Sequence, residues 1–312
     1  MGRRVGYVLV FVGFFLLFSA FLVRFYAYPR LQKAPLNQYS QPVATGTGTY
    51  FNRHQLKEVT AQLQNIRTVR GDAKAGTART AVWDSFSETK DLGDNGVLTA
   101  ERERIALDRV TGQSRHCCGE QPAHSGLTLK FPFNTHRSTY SFWDTTAKQA
   151  FPAAYAATER IEGVTVYRFE QRFSGVRLDT VSISGAQAGQ PGVASVPATV
   201  IYGNVKTLWV EPRTGIIVKA GQDVTQVLET PDGRPVLTVV RAQLLYDAST
   251  VHKNAEDAKS ARSQLRMIQW LLPAAALVLG VVLIVVGVAL AARQPAGGQR
   301  EEAAEPRPAD AR

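Results

Sequence analysis

The chain has 312 residues, with 36 Lys and Arg against 26 Asp and Glu, and therefore carries a net charge of +10. Its basic residues are scattered along the sequence. This pattern argues against nucleic-acid binding, which needs a clustered basic face. A basic protein of this kind is better suited to anionic lipids or charged envelope polymers.

An uncharged stretch near the N-terminus predicts a first membrane-spanning helix. Residues 5–23 carry no charge, Arg3 and Arg4 precede them, and Arg24 follows them. The alternative is a cleaved signal peptide, whose apolar part is usually about 7–15 residues long and ends at a small-x-small site. The sequence after Arg24 offers no such site. We therefore interpret residues 1–25 as an uncleaved transmembrane anchor.

A second uncharged stretch, residues 268–292, contains Gln269 as its only clearly polar side chain. As a helix it would extend about 37 Å, and the hydrocarbon core of a bilayer is about 30 Å thick. A helix that is apolar all round lies in a membrane or at the centre of a large protein. Pro273 near its start is tolerated because neighbouring helices can satisfy the freed carbonyl. This stretch predicts a second membrane-spanning helix.

Two spans place both termini on one side of the plasma membrane. The positive-inside rule assigns Arg3, Arg4 and both termini to the cytoplasm and the region between the spans to the outside. Residues 293–312 contain four Arg and four acids among Ala, Pro and Gly, a composition typical of a disordered tail. Since these charges cancel, the outer region keeps a net charge of about +8 once Arg3 and Arg4 are also set aside.

Small residues recur on the second predicted span at Ala276, Gly280, Gly287 and Ala291. In lipid, small residues four apart let helix backbones approach closely. They predict a packing stripe that joins this span to the first span or to a second copy, giving a homo-oligomer. The alternative is that Gly and Ala are simply frequent in membrane spans.

The sequence between the two spans predicts mainly β-strands. Period-two alternation and β-branched runs predict strands at residues 80–83, 100–110, 164–169 and 176–183. Pro212 and Gly215 predict one hairpin turn, and Asp232 with Gly233 predicts another. Residues 186–193 predict a flexible loop, and residues 24–48, which contain Pro and Gly, predict a connector.

The composition changes at residue 247. Residues 247–266 are rich in Ala, Lys, Glu, Gln and Arg and contain no Gly or Pro, so they predict a helix capped by Asp247 or Ser249. The resulting fold class is a membrane-anchored α+β protein with two transmembrane helices flanking a mainly antiparallel β extracytoplasmic domain. Its predicted divisions are an anchor at 1–25, the β-rich domain at 26–248, a helical stalk and second span at 249–292, and a cytoplasmic tail at 293–312.

One cluster carries reactive side chains, namely His116, Cys117, Cys118 and His124. Adjacent cysteines do not match the spacing of zinc ligands, and thiols outside the cell tend to oxidise. The sequence leaves open a disulfide within the chain or to a second chain, a pair of free thiols, and, as the weakest alternative, a metal site. We assign no metal and no cofactor.

Catalytic motifs are absent from the sequence. It contains no Gly-x-Ser-x-Gly, His-Glu-x-x-His or phosphate-binding loop, so we assign no catalytic residue. Asp144, Glu159 and Glu162 could act as paired acids, but most exposed carboxylates only interact with solvent. Trp83 and Trp143 are expected to fill a β core rather than bind a ligand.

Four segments together resemble a known family. They are LDRVTG at 107–112, GLTLKFPF at 126–133, TYSFWD at 139–144 and EGVTVYRF at 162–169. With the two flanking spans they are similar to the actinobacterial porin PorA family, formerly described as a domain of unknown function. This resemblance implies a channel in the mycolic-acid cell envelope. A protein with two spans would conduct only as an oligomer, and the motifs define no active site.

These observations lead to three functional hypotheses. The favoured one is a non-enzymatic envelope protein whose β-rich outer domain binds or transfers lipid or another envelope component, with membrane lipids and an envelope lipid or polymer as its partners. The alternative is a subunit of an oligomeric envelope channel. The second alternative is a membrane-anchored hydrolase or transferase, which would need a cleft with converging acids or histidines.

Overall fold

The computed structural model describes residues 2–292, and the predicted tail at 293–312 lies outside them. The described residues form two compact units. The first unit contains residues 2–30 and 265–292, and the second is Leu31–Gln264. The predicted division boundaries remain predictions.

The first unit is helical. Helix α1 spans Gly2–Leu22, a π-helical turn covers Val23–Ala27, and the short helix α2 spans Tyr28–Leu31. At the other end of the chain a π-helical turn at Met267–Leu271 leads into the long helix α4, Leu272–Ala292. Each π turn precedes a proline, Pro29 or Pro273. Proline lacks an N–H and clashes with the carbonyl four residues earlier, which a widened turn relieves.

Both long helices coincide with the uncharged stretches, so the two predicted apolar helices are confirmed. By length and composition each could cross a membrane. Insertion into a bilayer and the orientation of the termini remain predictions.

The second unit is built on one antiparallel sheet of eleven strands within Leu31–Gln264. The strands are β1 Tyr39–Ser40, β2 Val43–Asn52, β3 Lys57–Gly71, β4 Thr80–Asp91, β5 Val97–Asp108, β6 Tyr140–Asp144, β7 Gln149–Ile161, β8 Val164–Ser184, β9 Ser195–Val210, β10 Ile217–Glu229 and β11 Pro235–Tyr246. Their order is β5-β4-β3-β2-β11-β10-β9-β8-β7-β6, and β1 pairs with β3. The predicted mainly antiparallel β domain is therefore confirmed.

The sheet curves into a half-barrel whose end strands, β5 and β6, are linked through the segment between them. Isolated bridges join Leu107 to Ser114, Gln113 to Leu127 and Leu127 to Phe142. The segment 109–139 thus connects the two ends of the sheet. One face of the curved sheet, which we call the inner face, carries Lys206, Gln222 and Leu244 side by side on β9, β10 and β11.

Helix α3, Ala248–Arg266, packs on the sheet. Its Ala255 and Ala258 lie in one buried cluster with Val164, Val166 and Val218. The Asp247 carboxylate accepts a hydrogen bond of 2.7 Å from the Thr250 N–H, which is the N-cap contact that the sequence predicts. The predicted helix and its cap are confirmed.

Both predicted hairpin turns are confirmed, because β9 ends at Val210 before β10 and β10 ends at Glu229 before β11. The two strands predicted at 164–169 and 176–183 form a single strand, β8, which is interrupted by irregular pairing between Phe173 and Val176.

The connector predicted at residues 24–48 is wrong for residues 24–31, which are helical, and for residues 39–40 and 43–48, which belong to strands β1 and β2. Residues 45–48 alternate Thr with Gly, and the neighbouring backbone is very close. A Cβ added to Gly46 would lie 1.8 Å from the carbonyl oxygen of Gln243. Glycine here permits close strand approach rather than flexibility.

Candidate functional site

A buried ionic network occupies the inner face near the end of β6. Asp144, which is 2% exposed, accepts hydrogen bonds through Oδ2 from Lys206 Nζ at 3.0 Å, Tyr202 Oη at 3.2 Å and Asn204 Nδ2 at 3.3 Å. Strands β6 and β9 supply these side chains, so one carboxylate connects two distant parts of the sheet.

The charge states in this network follow from burial and pairing. Burial alone would raise the pKa of Asp144, but the positive charge of Lys206 and the hydrogen bonds to the carboxylate outweigh burial and hold the pKa below its usual value. Burial, followed by the nearby negative charge of Asp144, raises the pKa of Tyr202. At neutral pH the site therefore contains an Asp144–Lys206 ion pair and a neutral phenol.

A second carboxylate, Glu103, bridges the ends of the sheet. It lies on β5 and accepts hydrogen bonds from Trp143 Nε1 of β6 at 2.9 Å and from Thr145 Oγ1 at 3.0 Å. Burial would raise the pKa of Glu103, but contacts with His124, the charge of Arg67 and these hydrogen bonds outweigh it, so the pKa is lowered. Glu103 is thus an ionised anchor between β5 and β6.

The predicted histidine and cysteine cluster lies in the segment that links these strands. Glu120 joins both histidines, with its Oε1 3.0 Å from His124 Nδ1 and its Oε2 3.0 Å from His116 Nδ1. His124 is 1% exposed, and its Nε2 lies 3.4 Å from Glu103 Oε1. Cys117 and Cys118 are joined to each other by a disulfide.

These contacts hold the linking segment in place. Within residues 2–292, no group of three or more His, Cys, Asp or Glu side chains is arranged to hold a metal ion. Glu120 organises the cluster, because it contacts both histidines.

The inner face also carries apolar side chains that are only partly covered. Val59, Ala61, Leu98 and Val240 are half-buried and pack against a cluster that includes the buried Leu63. The register places Val240 opposite Tyr50 and Tyr50 opposite Val59, so these residues form one patch across three strands. The inner face thus combines a buried ionic network with accessible apolar surface.

The small residues predicted to form a packing stripe lie where α1 and α4 meet. A Cβ on Gly287 would lie 2.6 Å from the Gly6 carbonyl oxygen, and a Cβ on Gly280 would lie 2.8 Å from the Gly13 carbonyl oxygen. Both distances are shorter than real Cβ contacts, so the two helices touch backbone to backbone at these glycines.

The other two residues of that stripe, Ala276 and Ala291, are half-buried. A Cβ on Gly6 would lie 2.9 Å from the Ala291 backbone nitrogen, which places Ala291 at the same contact. The stripe is therefore used within the chain, between its own two helices.

The ionic network was not predicted from the sequence. Asp144 was expected to interact with solvent as most carboxylates do, although its side chain is almost fully buried. The alternation of side chains along a strand could have indicated this burial, because Asp144 lies two residues after Phe142 and therefore shares its buried face. Trp83 and Trp143 are buried as expected, at 4% and 5% exposure.

A model of the family described as Porin PorA matches residues 5–289, which include most of both long helices and the whole sheet. The chain belongs to the porin PorA family. The resemblance seen in the sequence is thereby confirmed.

Two porin PorA relatives from corynebacteria are similar to this chain. The protein from Corynebacterium amycolatum is 22% identical over 92% of this chain and 98% of its own length. The protein from Corynebacterium resistens is 28% identical over an alignment that covers 32% of this chain and only 36% of that relative.

Membership in the porin PorA family supports a porin-like protein of the cell envelope and suggests a non-enzymatic channel. It favours the oligomeric channel, which was the alternative hypothesis from the sequence, over lipid binding, which was the favoured one.

Proposed function

We propose that this protein is a subunit of an oligomeric channel of the cell envelope, held in the plasma membrane by α1 and α4 with the sheet outside and both termini in the cytoplasm. The observation that carries the proposal is the porin PorA match from residue 5 to residue 289. A match of this extent includes the helices and the sheet, so both belong to the family's common design.

The chemistry of the helices explains why several copies are needed. Their glycines are used in the α1–α4 contact, and their outward surfaces are apolar, with Phe11 at 73% and Val278 and Val285 at 62% exposure. Neither helix carries a charged side chain along its apolar stretch. One helix pair therefore offers no polar path for an ion, since such a path requires side chains or backbone groups that replace water.

The direct test is conductance of the purified full-length protein in planar lipid bilayers. We expect discrete current steps from the wild-type protein, and a loss of steps when Gly280 and Gly287 are both replaced by Leu, because the helix pair can no longer close. The matched control is Val278→Leu with Val285→Leu, which alters exposed positions on the same helix. Absence of steps from wild-type protein that cross-linking shows to be oligomeric would refute the channel.

A second candidate function, binding or transfer of a lipid or another envelope component, is favoured by the half-buried apolar patch on the inner face. Val59, Leu98 and Val240 provide apolar surface, and burying such surface contributes about 25 cal/mol per Å² to binding. An amphiphilic ligand could place its tail on this patch.

This candidate is tested by mass spectrometry of lipids that co-purify with the full-length protein. Val240→Arg should remove the bound lipid, whereas Leu245→Arg should retain it, because Leu245 lies on the opposite face and is 43% exposed. Equal lipid content in both variants would exclude this patch as the binding surface.

A further inference from the structure

A cleft of about 560 Å³ opens beside the linking segment, away from the ionic network of the inner face. It is lined by Asp84, Arg102, Arg104, Gly119, Gln121, Pro122 and Lys148. The lining thus contains three cationic side chains and a single carboxylate.

Arg104 is part of the wall. Its Nη1 donates to both oxygens of Asp84 at 2.9 Å, its Nη2 donates to Asp72 at 2.7 Å, and its Nε donates to the Cys118 carbonyl at 3.1 Å. Its backbone also exchanges two hydrogen bonds with Gln121, at 2.8 and 2.9 Å. Arg104 is therefore fully engaged by Asp84 and Asp72, and these contacts hold the rim of the cleft against β4 and β5.

Arg102 and Lys148 are different, because both are exposed and, within residues 2–292, neither side chain has a hydrogen bond or ion pair. Arg102 lies opposite Phe86, so its diagonal acidic neighbours on β4 are Asp84 and Glu88. Asp84 forms an ion pair with Arg104, and Glu88 forms one with Lys90 at 3.1 Å. The acids that could neutralise Arg102 are thus already paired.

We propose that this cleft binds a phosphoryl group, with Arg102 and Lys148 as its ligands. A phosphate monoester carries close to two negative charges at neutral pH and matches two cations, and a phosphodiester headgroup carries one. The guanidinium of an arginine can donate two parallel hydrogen bonds to its oxygens, and a lysine adds a point charge. The fixed wall keeps the approach open, and its ion pair with Arg104 reduces the repulsion of the anion by Asp84. The group can belong to a free phosphate ester or to a phospholipid headgroup.

The experiment is a calorimetric titration of full-length protein in dodecyl maltoside at constant ionic strength. The probes are inorganic phosphate and dihexanoyl phosphatidylglycerol, with sodium chloride as the reference. Arg102→Gln and Lys148→Gln should each weaken binding roughly tenfold, since each removes one charge-assisted contact. The controls Arg160→Gln and Lys57→Gln change exposed cations that have no partner within the described residues.

Binding of either probe that the cleft variants weaken and the controls preserve supports the site. If the cleft variants weaken the binding of inorganic phosphate, the ligand is a free phosphoryl compound. If they weaken the binding of the lipid alone, the ligand is a phospholipid headgroup. Absence of binding by both probes overturns the proposal, as does equal weakening by cleft and control variants, which would indicate general attraction to a basic surface. Since the channel is measured by conductance, failure of either proposal leaves the other standing.

Discussion

Each of the two units of this protein is stabilised internally by a different kind of interaction. In the helical unit, α1 and α4 meet at Gly6, Gly13, Gly280 and Gly287, where an added Cβ has no room. In the β unit, strands from distant parts of the sheet are connected by buried ions, with Asp144 and Lys206 3.0 Å apart. The helical unit should therefore be sensitive to side-chain volume, and the β unit to the loss of charge.

The largest effect is expected at the ionic network. Asp144→Ala leaves Lys206 without its partner, and breaking a buried ion pair in this way costs about 3–5 kcal/mol. Urea unfolding of the full-length protein, followed by Trp fluorescence, measures the change. Asp179→Ala is the control, because Asp179 is exposed and has no partner within the described residues. Equal stability of the two variants would contradict the view that charge holds the β unit together.

A smaller effect is expected in the helical unit. In Gly287→Leu, the new Cβ would lie 2.6 Å from the Gly6 carbonyl oxygen. Overpacking of this kind typically costs about 1–3 kcal/mol. Hydrogen exchange read by mass spectrometry should show faster exchange in α1 and α4 and no change in the sheet. Val285→Leu, at an exposed position of α4, should exchange like the wild-type protein. Slow exchange of α1 and α4 in both variants would contradict close packing at Gly287.

The pH dependence sharpens the contrast, because α4 contains no titratable side chain. In the β unit, burial lowers the pKa of Lys130 to about 7 from a model-compound value of 10.5, and the charge of Asp108 opposes this only in part. The folded state therefore binds fewer protons than the unfolded state between these two values. Linkage then requires stability to rise as the pH increases from about 7 to about 10.

Lys130→Met should flatten this rise and increase the free energy of unfolding at pH 6 by about 1 kcal/mol or more, because a buried cation is replaced by an apolar chain. Unfolding curves at pH 6, 8 and 10 test it. Lys57→Met, at an exposed lysine, should retain the wild-type pH profile. If the stability of Lys130→Met still rises with pH as in the wild-type protein, other groups cause the rise.

The smallest effect is expected at the disulfide. Cys117 and Cys118 are adjacent, so the bond between them closes almost no chain and adds little loop-closure entropy. The segment around them is already held by Arg104 and Glu120. The double variant Cys117→Ser with Cys118→Ser should change stability by less than about 0.5 kcal/mol. A larger loss of stability in thermal unfolding would contradict this expectation. Wild-type dimers that dissociate on a gel only in the presence of a reductant would show that the cysteines join two chains.

Local chemistry predicted much of the fold. Absence of charge over residues 268–292 indicates a helix in an apolar environment, and the turn residues at 212–215 and 232–233 predict the hairpins where they occur. These signals are local, because turn geometry and helix capping depend on a few neighbouring residues. The β identity of residues 43–48 escaped prediction, since glycine there is required by the Gln243 backbone on a strand remote in sequence.

By itself, the sequence determined two apolar helices, a β-rich region between them and membership in a family, because periodicity, charge and turn chemistry are properties of short segments. Only the tertiary structure decided that Asp144 is buried against Lys206, that the glycines of α4 contact those of α1, and that Arg102 and Lys148 share a cleft. Each of these depends on which distant segments meet, and that is set by the register of the sheet and the packing of whole elements.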